Sequence, residues 1–159
     1  MPVEIVDVWL ATIVSRFGWP PTTQNDWRYI LGAGYDFAWL QGLTWTEETI
    51  ALQPTDLTRV SLDITEAMFR GHILQELTHL SMMSDGTQRF RNCCAYLKTH
   101  GVYPHPIVLQ RTDAGYFVLD GNHRLAAYFY LYGYFVVEND ETPDFNVREL
   151  QEAWITVSP

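Results

Sequence analysis

The residues best suited to do chemistry stand together in one short run, Asp120-Gly121-Asn122-His123-Arg124. It follows the apolar Tyr116-Phe117-Val118-Leu119 and precedes the helix-forming Leu125-Ala126-Ala127, so the order reads as strand, tight turn and helix start. The first amides of a helix have no partner within it, and the helix dipole places partial positive charge at that end. A glycine there lets a ligand approach the backbone without a Cβ in the way. His123 and Arg124 add side-chain donors, and an arginine fork grips two phosphate oxygens at once. Together these parts make a site suited to a phosphate group. Asp120 stands just outside, placed to hold Mg²⁺ or to accept a proton. The same residues also fit a plain hairpin leading into an ordinary helix, with Asp120-Gly121 as turn residues and Arg124 on the surface. The phosphate reading requires Arg124 to face the amides that open its helix, and it fails if an internal ion pair holds the guanidinium.

Other constellations carry less. His72, Glu76 and His79 are spaced to share one helix face, and Glu76-Leu77-Thr78-His79 has the Glu-x-x-His form of di-iron bundles. Such sites need a second motif of that form and two further carboxylates, and the sequence has no second Glu-x-x-His, so a solvated or half-buried helix face is the expected role. Cys93 and Cys94 are adjacent. A bridge between neighbours would close a small, strained ring, and no further Cys or His lies at zinc spacing, so packing is their expected role. Gly32-Ala33-Gly34 lacks the third glycine and preceding strand of a dinucleotide fingerprint, and the absence of Gly-Lys-Ser/Thr excludes a P-loop.

The elements that must position the turn follow from periodicity. Ile5, Val8, Trp9, Ile13 and Phe17 predict a helix over about residues 3–17, stopped by Gly18 and Pro20-Pro21. Thr23-x-x-Asp26 has capping-box form and opens a second helix through Ile30 and Leu31; Thr44-x-x-Glu47 predicts a third, short one through Leu52. Val60, Leu62 and Ile64 then alternate with Arg59, Ser61 and Asp63 as a half-buried strand does. Helical spacing returns over 65–82, Ser84-Asp85-Gly86 reads as a turn, and a further helix over 90–100 stops at Gly101. Pro106-Ile107-Val108-Leu109 and Tyr116-Phe117-Val118-Leu119 flank Asp113-Ala114-Gly115 as a hairpin. After the helix from Asn122 to Gly133, the pattern predicts a strand over 134–137 and a last helix over 148–154. Helices and strands interleave in mixed order, which predicts an α+β fold.

Composition bounds the role. The chain has 159 residues, which suits one domain, and its 8 Phe, 6 Trp and 9 Tyr allow a large, stiff core and exclude disorder. Ten basic side chains, of which only Lys98 is lysine, face 19 acidic ones, for a net charge of −9. A chain so charged repels a long nucleic acid over most of its surface, so a nucleic-acid partner is not expected. No apolar run is long enough to span a membrane, and the start lacks the basic n-region of a secretion signal. With no disulfide framework, a soluble protein of the reducing cytoplasm is expected.

From about residue 58 to 138 the sequence resembles the ParB/sulfiredoxin superfamily. The features that carry the resemblance are the helix over 90–100 with its Gly101 stop, the Pro106-Ile107-Val108-Leu109 strand, the hairpin, and the Asp120-Gly121-Asn122-His123-Arg124 turn opening a helix. The resemblance implies a small mixed sheet with packed helices within a domain over residues 58–159, while the helical periodicity of the first third predicts a helical cap over 1–57. It also implies that Gly121, Asn122, His123 and Arg124 bind the phosphates of ATP or another nucleotide. Sulfiredoxins carry a reactive cysteine where Asn122 stands here, and an amide is no thiol nucleophile. A partition clamp needs a basic DNA-reading domain, which this acidic chain does not show. What remains is phosphoryl transfer to a small-molecule acceptor, metal-dependent phosphodiester cleavage, or a non-catalytic module that binds a protein partner or a second copy of itself. By analogy with kinase-like relatives, His123 and Asp120 are the expected catalytic groups, Asp120 holds Mg²⁺, Glu66 takes the acceptor's proton, and Arg70 is a further phosphate ligand.

Overall fold

Trp45–Ile50 and Gln151–Val157, which lie far apart in sequence, form adjacent antiparallel strands in the computed structural model of the protein. The structure describes residues 43–73, 86–138, 143–144 and 146–157. In chain order the elements are β1 (Trp45–Ile50), a 3-10 turn (Pro54–Asp56), α1 (Arg59–Ile73), α2 (Gly86–His100), β2 (Ile107–Thr112), β3 (Gly115–Asp120), α3 (Asn122–Tyr132) and β4 (Gln151–Val157). The sheet order is β1-β4-β2-β3. β1 and β4 pair antiparallel, β2 and β3 form the expected antiparallel hairpin, and β2 and β4 run parallel at the centre. Among the described residues the fold is therefore α+β, a mixed four-stranded sheet with three helices.

Side chains of β2 and β4 alternate in and out, so Ile107, Leu109, Ala153 and Ile155 enter one buried cluster with Phe90 and Leu97 of α2 and Phe69 of α1. α3 runs through this cluster, with Leu125, Ala126, Ala127, Tyr128, Phe129 and Leu131 all buried. A helix apolar on nearly every side must be covered on nearly every side, and α1 and α2 both pack on it. Truncating a fully buried aromatic such as Phe90 costs about 3–5 kcal/mol, so this cluster fixes where α3 begins.

Several local expectations are corrected. Residues 59–64 are helix, not strand. The Leu62 amide donates to the Thr58 carbonyl at 2.9 Å, and the Ser61 amide lies 3.4 Å from Thr58 Oγ1, so Thr58 opens α1. The helix turns Val60 outward, 57% exposed, and buries Ser61, Thr65 and His72 with Met68 and Phe69. The segment after Thr44 is β1 rather than a short helix, so this part of the expected cap over 1–57 joins the sheet. The expected last helix is strand β4, whose burial alternates through Ala153 and Ile155. Residues 134–137 are not a strand, because the Tyr134 and Phe135 amides turn back onto the Phe129 carbonyl at 2.8 and 3.0 Å and close the end of α3. The helices expected over 3–17 and from Thr23, together with Glu76, His79, Ser84 and Asp85, lie outside the described residues. Among the described residues no helix is long and apolar enough to cross a membrane.

Candidate functional site

The hairpin delivers the turn. Thr112 Oγ1 donates to the Gly115 carbonyl at 2.7 Å and accepts from the Ala114 amide, which tightens the β2–β3 connection. Val108 pairs with Asp120 but Leu109 pairs with Val118, so β3 carries one extra residue before Asp120. Such a bulge bends a strand and re-aims the side chains beyond it. Gly121 follows as the N-cap of α3 at φ +107°, and a Cβ there would lie 2.6 Å from Ile107 Cγ2 and 3.2 Å from Arg124 Nη2. Backbone angle and space both require glycine. The first intrahelical bond of α3 runs from the Leu125 amide to the Gly121 carbonyl at 2.9 Å.

Asp120 and Arg124 do not stand where an open phosphate site needs them. Arg124 Nη2 forms an ion pair with Asp120 Oδ2. Its Nη1 donates to the carbonyls of His105 at 2.9 Å and Pro106 at 2.7 Å. The Arg124 side chain is only 12% exposed and that of Asp120 24%. The guanidinium is thus an internal brace between the end of β3, the start of α3 and the loop entering β2, and the ion pair that the phosphate reading had to exclude is present.

The other side of the turn is built differently. The buried stripe of α1 starts at Ser61, whose Oγ accepts the Val118 amide of β3 at 2.9 Å. One turn on, the Thr65 hydroxyl donates to the Ser61 carbonyl at 2.8 Å and stands 3.5 Å from Asn122 Oδ1. Two turns further, the His72 ring lies 5.3 Å from that of His123 and stacks on Phe90 at 5.3 Å. His72 is 8% exposed; its Nδ1 is 3.2 Å from Thr87 Oγ1, and its buried Nε2 has no hydrogen-bond partner among the described residues. Burial holds the His72 pKa below its ordinary value, which favours the neutral ring.

The remaining candidates lie on α1 and α2. Glu66 is half-buried and Arg70 exposed on α1; four residues apart, they share a flank about 100° round from Thr65. Asp63 is exposed and paired with Arg59 at 3.0 Å, a surface ion pair of small energetic worth. Neither Cys93 nor Cys94 is in a disulfide; both lie on α2, and burial pushes the Cys94 thiol up to about 12, which keeps it from acting as a nucleophile. Among the described residues no group of three or more His, Cys, Asp or Glu is arranged to hold a metal ion. One carboxylate already committed to Arg124 does not make a resident Mg²⁺ site.

Sequence reasoning named His123 and Asn122 but missed Thr65 and Thr87, and it grouped His72 with Glu76 and His79 along its own helix. The pairing of His72 with His123 bridges two helices far apart in the chain, and no spacing rule connects them. Comparison of the chain with protein-family models, with curated proteins and with solved structures found no match in any of the three.

Proposed function

We propose that, with the Arg124-centred pocket closed by the ion pair to Asp120, this protein is a cytoplasmic binding domain of ParB/sulfiredoxin type that holds the phosphate of a nucleotide at the amino end of α3 through a different set of groups. The contacts in this reading come from the opening amides of α3 and from the imidazoles of His72 and His123. The observation that carries it is His72, a buried side chain in ring contact with the second residue of α3, whose Nε2 has no hydrogen-bond partner among the described residues. Leaving such an atom unsatisfied costs about 1–3 kcal/mol, so native proteins seldom do so unless a ligand or water completes it. His72 Nδ1 lies 3.2 Å from Thr87 Oγ1; in the tautomer this reading assigns, the Thr87 hydroxyl donates to Nδ1 and the neutral ring carries its proton on Nε2, where it is offered to an anionic oxygen. The helix dipole adds to the attraction, and it does so without a net positive surface.

A catalytic step is not part of this reading, because the two groups that would hold a metal and stabilise moving charge are bonded to each other. The net charge of −9 likewise favours a small ligand over a polyanion. Thermal denaturation with ATP, CTP, ADP, AMP or inorganic phosphate, each with and without Mg²⁺, tests the reading. A rise in Tm is expected with at least one of these ligands, and it should vanish in His72→Phe, which keeps the ring and removes both nitrogens. A flat response to every ligand at millimolar concentration would discard it.

A further inference from the structure

The resemblance implies that Arg124 is itself a phosphate ligand. The geometry points to another role: we infer that Arg124, joined to Asp120, is a positioning residue that fixes the glycine turn and the first amides of α3, and that it does not touch the ligand. This inference rests on the binding reading above. Both terminal nitrogens of the guanidinium are engaged, Nη1 by two backbone carbonyls and Nη2 by a carboxylate. The surface they grip is itself pinned. The amide of Tyr103, in the same loop as His105 and Pro106, donates to Gln151 Oε1 at 2.8 Å, and Gln151 Nε2 donates to the carbonyls of Gly101 and Arg148 at 2.9 and 2.8 Å. The loop is therefore tied to the first residue of β4 by a buried amide, and Arg124 ties α3 to that loop. The absent Cβ of Gly121 gives Nη2 its passage, since a methyl group there would lie 3.2 Å from it. Recruiting Arg124 to a phosphate would break three hydrogen bonds and leave Asp120 facing the incoming anion with its charge uncompensated.

The two roles give opposite results in one set of variants, with ATP as the probe and affinity read by calorimetry. If Arg124 positions the turn, Asp120→Asn and Arg124→Gln each weaken ATP binding by about tenfold. The double variant is then no weaker than either single one, because the residues act as one unit. Arg124→Lys fails like Arg124→Gln, since one ammonium cannot reach two carbonyls and a carboxylate in the same geometry. On ATP addition the ¹H–¹⁵N signals of Asn122 and His123 move and the side-chain Nη–H signals of Arg124 stay in place. Tighter binding in Asp120→Asn, retention of affinity in Arg124→Lys, or movement of the Arg124 Nη–H signals would overturn the inference. Should ATP move no signal in the unmodified protein, the binding reading fails by itself. The brace is then judged by hydrogen exchange at Arg124, slow in the unmodified protein and fast in Asp120→Asn; fast exchange in both overturns it.

Discussion

Two polar pairs flank the opening of α3, and they are finished to different degrees. Asp120 and Arg124 satisfy each other and two carbonyls. His72 and His123 meet ring to ring across two helices, and His72 keeps a buried nitrogen without a partner among the described residues. Charge alone would rank the first pair as the functional one, because it holds the only guanidinium in the motif. Satisfaction ranks them the other way. A polar group whose bonds are complete holds the fold together, whereas one left incomplete in a dry place is available to a ligand.

The largest effect in breaking this contrast is expected on the finished side. Asp120→Ala leaves a mostly buried guanidinium without its counter-charge and should lower unfolding stability by about 4 kcal/mol, read from urea titration. A loss below about 1 kcal/mol would show that the brace carries little. Gly121→Ala comes next. The added methyl meets Ile107 and Arg124 at a backbone angle that L residues avoid, and the cost should be about 3 kcal/mol in the same assay.

The unfinished side responds to pH more gently. The folded-state pKa of His72 is lowered by burial, so below about 6.5 the unfolded chain binds the proton more readily than the native one. The stability tied to the neutral ring is complete above that value and drains away as pH falls through the depressed folded pKa. Between pH 7.5 and 5 the unmodified protein should therefore lose more stability than His72→Phe does. Parallel curves for the two proteins would show that His72 titrates as it does in the unfolded chain.

The centre of the molecule was legible in the sequence and its margins were not. Two short apolar runs around Asp113-Ala114-Gly115 and the step from Asp120-Gly121 into Leu125-Ala126-Ala127 identify β2, β3 and α3, because there local propensity and final structure agree. Over 59–64 they disagree. Alternating Val60, Leu62 and Ile64 mimic a strand, while the face that α1 buries there is polar, Ser61 and Thr65, and its burial depends on β3 supplying the Val118 amide and α3 supplying Asn122. β1 and β4 were missed for a related reason: each is stabilised by the other across most of the chain, and no window of a dozen residues contains both. Asp120 and Arg124 are four residues apart, a spacing that is easily read, but the pair straddles a helix start. The carbonyls of His105 and Pro106 that complete it are backbone atoms, which no motif reports.

The parallel seam between β2 and β4 has a consequence for how the chain reaches this state. The register joins Ile107 to Ala153, and β4 in turn carries Trp45 opposite Thr156. A growing chain therefore exposes the open edges of both β1 and the hairpin throughout the synthesis of α3, and only the late arrival of β4 seals them together. Closing such long loops is slow, so β1 and the β2–β3 hairpin both wait for β4 before the sheet is complete.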